Sequence, residues 1–205
     1  MGFTLISAPG DEPVTATEAK LQCKVDVSAD DALFTILIAT ARERAELAMG
    51  RALVSQTWDL ELDRFPSEPY IELSKPPLQS VTSLKYKDTT GTLQTWATTN
   101  YVVTGEQTAP VLYARQACAR INLAYGIVWP ATYGQAADII IRFVAGYGSA
   151  SQVPSILKEA ILLDIATLYR NRANVVTGTI VSPIPNMSSA IYRAHRAHET
   201  QVLAA

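Results

Sequence analysis

Charge is scarce in this sequence, and the scarcity excludes a class of partner. Asp, Glu, Lys and Arg together make up 18% of the 205 residues, and the formal net charge is −2. Soluble domains usually reach about 25% charged residues, and domains that wrap nucleic acid are usually strongly basic. The sequence therefore lacks the positive field that nucleic-acid wrapping requires, although it leaves room for a local basic patch.

Cysteines and long apolar runs are also scarce. Cys23 and Cys118 lie far apart and outside any C-x-x-C motif, which excludes zinc knuckles and dithiol redox motifs. The run from Ile139 to Ile141 is followed at once by Arg142, whereas a membrane-spanning helix needs about 20 apolar residues. No basic segment followed by an apolar run opens the chain. We therefore expect reduced thiols, no export by a standard signal and no membrane span.

Motifs that carry catalysis are missing as well. His195 and His198 are the only histidines, and their order with Glu199 differs from the H-E-x-x-H of zinc enzymes. There is no G-x-S-x-G and no G-x-x-x-x-G-K-S/T. Gly146-Tyr-Gly148 is followed by Ser151 where a dinucleotide-binding loop has its third glycine, so a structural turn is the better interpretation. The sequence predicts no enzyme, no metal and no cofactor.

Both ends of the chain predict helices. The predicted helices cover residues 15–24, 28–49 and 154–172. The first begins with a capping box, in which Thr15 and Glu18 satisfy each other's backbone amides. The second ends at Gly50, because only glycine enters the left-handed conformation at a helix end without steric cost.

Apolar residues recur at helical spacing on the second and third helices. The predicted buried stripe of the second helix is Leu33, Ile36, Leu37, Thr40, Leu47 and Ala48, and that of the third is Leu157, Ala160, Ile161, Ile165 and Leu168. Each stripe has a charge at its centre, Arg44 and Asp164 respectively, whereas Arg42 and Glu46 are predicted to form an outward pair. Because an aspartate is rarely buried without a partner, we predict a buried ion pair between Arg44 and Asp164. Separate contacts, with solvent or with the tail of an adjacent subunit, are the alternative.

Between residues 52 and 148 the pattern changes to short β-prone runs separated by turn residues. The predicted strands are 53–62, 70–73, 80–87, 92–96, 101–104, 111–113, 120–123 and 138–145. The sequence therefore predicts an α+β fold, in which helices from both ends pack together as a bundle and carry a β-rich middle lobe. The helical parts 13–50 and 154–172 and the lobe 52–148 are expected to form a single domain over residues 13–173.

The two terminal segments lack this regular pattern. Residues 1–12 contain glycine and proline without periodicity and predict an extended arm that is ordered only against a neighbour. Residues 174–205 begin with an uncharged, proline-containing stretch and continue into a short amphipathic helix from about Ser188. Hydrophobic residues make up 48% of the chain, which a monomer with so few charges cannot easily bury. We therefore expect other subunits to cover part of the surface.

Taken in order, the sequence segments resemble a known family. These segments are PVTATEAK, DDALFTILIATARERAE, GRALVSQTW, LDRFP, KPPLQSVTSLKYKD, RINLAYG-WP and IRFVAGYG-VPSILKEAILLDIATLYRNR. Together they cover about residues 13–172, and they resemble the head-tail connector, or adaptor, proteins of tailed phages and prophages.

The resemblance implies a structural virion protein without catalysis. Such proteins form a ring, generally a dodecamer, that binds beneath the portal protein, extends the DNA channel and offers a platform to the tail or to a stopper or tail-completion protein. Genomic DNA would pass through the ring without sequence recognition. The protein would be located at the head-tail junction of the virion after assembly in the bacterial host cytoplasm.

The resemblance also implies that a C-terminal tail, here residues 174–205, docks on the portal. The predicted docking residues are Val181, Ile184, Met187, Ile191, Tyr192, Arg193 and Arg196. The two arginines would face either an acidic portal surface or the passing DNA, and the sequence does not choose between them.

Three other functions stay open at this stage. The nearest is a stopper or tail-completion protein of the same neck, the second is a nucleic-acid-binding accessory of DNA packaging, and the third is an enzyme with a cleft in the β-rich lobe. The net charge of −2 argues against the second. The lack of a cluster of titratable residues argues against the third.

Overall fold

The computed structural model describes residues 2–106, 118–171 and 187–197. The helices in these ranges are α1 (Ala16–Cys23), α2 (Asp31–Met49), α3 (Ser155–Arg170) and α4 (Met187–Ala194). The strands are β1 (Gly2–Ser7), β2 (Gln56–Leu62), β3 (Tyr70–Leu73), β4 (Leu78–Lys87), β5 (Leu93–Thr95), β6 (Tyr101–Thr104), β7 (Ala119–Leu123) and β8 (Ile139–Ala145). This is the α+β fold that the sequence predicts. None of these helices is long and apolar enough to cross a membrane.

The strands form two antiparallel sheets around a shared core. The larger sheet has the order β1-β2-β8-β4-β5, and the smaller has the order β3-β7-β6. Burial alternates along β8, which places one face of the larger sheet on the core. Buried side chains of both sheets join one apolar cluster that includes Leu60, Ile71, Leu84, Trp96, Ile121, Ile141 and Phe143. On the opposite face, Arg142 donates two hydrogen bonds to Asp59, at 2.8 and 2.7 Å.

The four helices contribute to a second apolar cluster. Its buried members include Val14, Phe34, Ile38, Met49, Leu157, Ile161, Ile165 and Tyr192. Phe34 stacks on Tyr169 with ring centroids 4.9 Å apart. The capping box that begins α1 forms as the sequence predicts, with the Glu18 amide donating to Thr15 Oγ1 and the Thr15 amide donating to Glu18. Helix α2 ends at Gly50, which adopts the expected left-handed conformation.

The two cores meet at a short junction after Gly50. Ala52 belongs to the sheet core, whereas Leu53 and Val54 belong to the helical core. This explains why β2 begins at Gln56 rather than at the predicted Leu53, since residues 53 and 54 are committed to packing against helices. The predicted bounds of β3 and β6 are those observed. The predicted strand at 111–113 lies outside the described residues.

The glycine turn that follows β8 connects the sheets with the helices, which we call the helical module. The Gly146 amide donates to the Pro77 carbonyl, and the Tyr147 amide donates to the Leu53 carbonyl, each at 2.8 Å. Gly146 has φ +118°, and a Cβ at this position would lie 2.4 Å from the Val54 carbonyl oxygen. Glycine is therefore required here for close backbone packing, which supports the structural interpretation of this motif.

The N-terminal arm differs from its prediction. Residues 2–7, which the sequence assigns to an arm that is ordered only against a neighbour, form β1 at the edge of the larger sheet and pair with β2. The pairing extends from Gly2 opposite Glu61 to Ser7 opposite Thr57, with an irregularity between Leu5 and Ser7. The prediction failed because turn-forming residues surround a strand too short to show a clear alternation.

Helix α2 also differs, because it buries a different face from the predicted one. Its buried residues are Phe34, Ile38, Ala41, Arg42, Ala45 and Met49. Ile36 and Leu47, predicted to be buried, are 63% and 83% exposed. Arg42, predicted to point outward, is buried, and Arg44 is exposed. Because apolar residues lie on two opposite sides of this helix, their spacing alone does not show which side is buried, and the prediction named the wrong one.

Candidate functional site

The C-terminal helix α4 is held against α2 and α3 by buried polar groups. Asp164, 5% exposed at the centre of α3, accepts hydrogen bonds from the hydroxyls of Ser188 at 2.5 Å and Tyr192 at 3.0 Å. Burial, followed by the negative charge of Asp164, raises the pKa of Tyr192 far above its ordinary value. Tyr192 therefore stays protonated and acts as a hydrogen-bond donor to the carboxylate.

The end of α4 is fixed by two further contacts at the junction. The buried Arg51 donates from Nε to the His195 carbonyl at 2.5 Å. The Ala197 amide donates to the Met49 carbonyl at 2.8 Å, which satisfies a carbonyl in the last turn of α2. Residues 187–197 are therefore bound along the helical module and fill part of its core.

The predicted ion pair between Arg44 and Asp164 is wrong. Asp164 is buried as expected, but the side chains that reach it are the hydroxyls of α4. Arg44 is exposed, and the described residues contain no ion pair or hydrogen bond between it and Asp164. The reason is the orientation of α2, whose core-facing side carries Arg42 instead.

Arg42 organises a partly buried network that the sequence did not reveal. Its guanidinium binds Glu12 at 2.9 Å and Glu46 at 3.0 Å. Glu46 also accepts hydrogen bonds from the Leu53 amide and from the Gln56 side chain, at 2.9 and 2.6 Å. Burial raises the pKa of Glu46 despite these contacts. The network connects the segment after β1, helix α2 and strand β2, and so fixes the sheet relative to the helices.

The predicted docking residues of α4 divide into two sets. Tyr192 is only 4% exposed, and Ile191 packs partly buried against the same helical core. Met187 and Arg193 of α4 are exposed, as is Arg196, which follows the helix. Val181 and Ile184 lie outside the described residues. The inward set therefore attaches α4 to its own subunit, which leaves the outward set accessible to a partner.

Helix α2 exposes two large apolar side chains on the side opposite its buried residues, and we call that side the outer α2 face. It consists of Ile36, Thr40, Glu43 and Leu47. Ile36 and Leu47 are eleven residues apart and therefore point within about 20° of each other around the helix. Both are largely exposed, whereas the opposite side of α2 forms the core. A helix that is apolar on two sides is usually covered on both.

A third exposed apolar feature is the loop between β7 and β8. Tyr125 is fully exposed, and Val128 is largely exposed. The loop is anchored directly afterwards by Trp129, which stacks on Phe65 with ring centroids 4.8 Å apart and donates to the Glu68 carbonyl at 2.9 Å. An anchored loop that presents apolar side chains to solvent is suited to protein contact.

The described residues contain no grouping of three or more His, Cys, Asp or Glu side chains that could hold a metal. The His195 ring nitrogen Nδ1 lies 2.9 Å from the Ile191 carbonyl of its own helix. His198 and Glu199 lie outside the described residues. What the described chain offers is a set of contact surfaces, and no catalytic arrangement is visible among these residues.

Solved structures share the fold over almost the whole chain. No family model matches the sequence, and no curated protein matches it. The chain is similar to one from the neck of an empty gene transfer agent (GTA) particle, computed with C6 symmetry, with 22% identity and a TM-score of 0.76. It is also similar to chains from the virion of a native GTA particle (21% identity, TM-score 0.75) and from the neck of a native GTA particle computed with C12 symmetry (22%, 0.68). Each match covers 97% of both chains.

Proposed function

We propose that this protein is a ring-forming structural component of the neck of a tailed-phage-like particle, where it acts as the adaptor between portal and tail. The observation that carries the proposal is the shared fold, over 97% of the chain, with chains from GTA necks. A ring of twelve copies is the proposed stoichiometry, because one of these necks was computed with C12 symmetry. The sequence resemblance to connector proteins agrees with this role.

The exposed apolar surfaces support a role in assembly. The outer α2 face presents two large apolar side chains to solvent, and such side chains stabilise subunit interfaces when they are covered. In a ring each copy contacts the next through two different surfaces, so every subunit has to offer two distinct patches. We assign the outer α2 face to one of these contacts.

The C-terminal tail, residues 174–205, is the proposed portal contact. Within it, Met187, Arg193 and Arg196 are accessible, and we propose Val181 and Ile184 as further contacts. Ser188, Ile191 and Tyr192 hold α4 to its own subunit and would present the outward side in a fixed orientation. Two exposed arginines, one in α4 and one just after it, suit an acidic portal surface.

Genomic DNA would pass through the proposed channel without sequence recognition. A net charge of −2 gives the subunit no strong attraction for the phosphate backbone, which favours passage over binding. The further proposed partner is a stopper or tail-completion protein on the tail side, and assembly would take place in the host cytoplasm before the virion is complete. No enzymatic activity is proposed.

Electron microscopy with the purified portal tests the proposal. We expect negatively stained images to show rings of this protein bound to one end of the portal. Arg193→Glu combined with Arg196→Glu should weaken portal binding at least tenfold and leave the subunit fold unchanged. Lys24→Glu combined with Arg64→Glu makes the same charge change at other exposed positions and should bind normally. The proposal would be overturned if the protein neither binds the portal nor forms rings.

A stopper or tail-completion role is the second candidate, because the similar structures are described only as neck and virion components. The order of binding separates the two roles. An adaptor binds the portal directly, whereas a stopper binds only after the adaptor is in place. Capture by portal alone favours the adaptor, and capture only by a preformed portal-adaptor complex favours the stopper.

A further inference from the structure

Both edges of the larger sheet lack a further paired strand among the residues that the structure describes. Among the described residues β1 pairs only with β2, and β5 pairs only with β4. Each edge strand therefore has a row of backbone N–H and C=O groups directed away from the sheet. Such groups readily pair with a strand from another chain.

Neither edge carries the charges that usually prevent this pairing. The sequence of β1 is GFTLIS and that of β5 is LQT, without charge or proline. Leu5 and Ile6 are adjacent in β1, at the irregularity in its pairing with β2, and each is 45% exposed. Soluble proteins commonly protect an edge strand with lysine, proline or a covering element. By contrast, the edge strand β3 of the smaller sheet contains Glu72.

Both edge strands are held in place by the rest of the fold. The segment after β1 is attached through the ion pair between Glu12 and Arg42. The turn before β5 is organised by Asp88, which accepts hydrogen bonds from the amides of Thr90 and Thr92 and from the Gln94 side chain. These hydrogen bonds, the Thr90 hydroxyl foremost, lower the pKa of Asp88 to about 2. Because both edge strands are already ordered, pairing with another strand would cost little conformational entropy.

We infer that β1 of one copy pairs with β5 of the next copy, so that the larger sheets join edge to edge around the ring. The inference rests on the proposed ring function and identifies one of its interfaces. A second copy is the favoured occupant because a single cyclic contact satisfies both open edges at once. It also supplies two different surfaces, as a ring requires, beside the contact assigned to the outer α2 face.

The topology fixes the direction of this pairing. All neighbours in the five-stranded sheet are antiparallel, so the first and fifth strands run the same way. The small rotation between neighbouring copies of a large ring changes that direction little. Strand β5 and the next copy's β1 are therefore expected to pair in parallel.

The register identifies positions for a direct test. From one edge, Thr4 of β1 lies opposite Asp59 of β2, and Asp59 lies opposite Arg142 of β8. From the other edge, Thr95 of β5 lies opposite Lys85 of β4, and Lys85 lies opposite Ile140 of β8. Arg142 and Ile140 are on the same face of β8, so Thr4 and Thr95 share the face turned away from the core. Both are exposed. A thiol at each position would meet its counterpart only if the two edges join.

Cross-linking of the full chain tests the inference. Cys23→Ser first removes the partly exposed native thiol from all variants, whereas Cys118 is buried. In that background Thr4→Cys combined with Thr95→Cys, treated with a short bifunctional thiol reagent, should give a ladder of covalent multimers up to the ring size. Each single variant should stay uncross-linked, and an equal mixture of the two single variants should give dimers only. Thr4→Cys combined with Thr17→Cys, an exposed position on α1, is the matched control and should give no ladder.

Charge variants provide a second readout that does not depend on thiol geometry. Thr4→Lys with Thr95→Lys places like charges across the proposed contact and should raise the protein concentration needed for rings several-fold. Thr4→Lys with Thr95→Glu should restore assembly. Circular dichroism should be unchanged in both variants.

Three results would overturn the inference. If micrographs show rings but the paired cysteines give no ladder, this interface is excluded and the proposed ring remains. Dimers formed by Thr4→Cys alone would indicate that β1 pairs with its own copy instead. Complete absence of rings, with and without the portal, would overturn both this interface and the proposed function.

Discussion

In the sheet region the buried carboxylates bind groups of that same region, since Asp59 pairs with Arg142 and Asp138 accepts from the amides of Gly134 and Gln135. In the helical region the buried carboxylate of Asp164 instead binds a terminal helix. Phe143, Ile141 and Leu60 fill the sheet core without a polar partner. In the helical module Asp164 lies beneath α4, and Arg42 connects the N-terminal segment to α2. The sheet is therefore a rigid unit, whereas the helical module attaches its terminal segments through polar contacts that single substitutions can break.

A cavity in the sheet core should give the largest loss of stability. Phe143→Ala removes a fully buried ring at the centre of the larger sheet. We expect the free energy of unfolding to fall by about 3 to 5 kcal/mol. Urea denaturation of the monomer at low protein concentration measures this, and a loss below 1 kcal/mol would show that the sheet is not the rigid unit described.

The two arginines of α2 should differ strongly in their effect. Arg42→Ala leaves Glu46 buried without its ion-pair partner and should cost about 3 kcal/mol. Arg44→Ala changes an exposed side chain and should cost less than about 0.5 kcal/mol. The same denaturation experiment compares them. Equal losses, or a larger loss for Arg44, would mean that the orientation of α2 is wrong.

The attachment of α4 should respond to the Asp164 carboxylate. Asp164→Asn places an amide donor where two hydroxyls donate, and we expect a loss of about 1 to 3 kcal/mol. Tyr192→Phe removes one of these hydrogen bonds and should cost about 1 kcal/mol. Hydrogen exchange of residues 187–197 should accelerate in both variants, while exchange in β8 stays unchanged. Unaltered exchange in α4 would contradict this attachment.

Substitution on the outer α2 face should have the smallest effect on the monomer. Leu47→Asp alters a side chain that is 83% exposed, so the free energy of unfolding should change by less than about 0.5 kcal/mol. Sedimentation should nevertheless show weaker association. Val102→Asp, at an exposed apolar position on β6, is the control and should associate normally. Normal association of both variants would remove the outer α2 face from the assembly.

The sequence predicted the fold class and most strands because local patterns determine them. Turn residues bound β3 and β6 on both sides, and the capping box at Thr15 begins α1. The buried face of α2 was missed because Ile36 and Leu47 give a second apolar stripe, which periodicity cannot distinguish from the first. The partners of Asp164 were missed because Ser188 and Tyr192 lie 24 and 28 residues away in sequence.

The account depends on the claim that this chain functions as a ring on a portal, and native mass spectrometry of the full-length protein mixed with its portal tests that claim most directly. We expect a complex that contains twelve copies of this chain on one portal. Detection of only free monomers beside an unoccupied portal, at micromolar concentrations of both, would contradict the account.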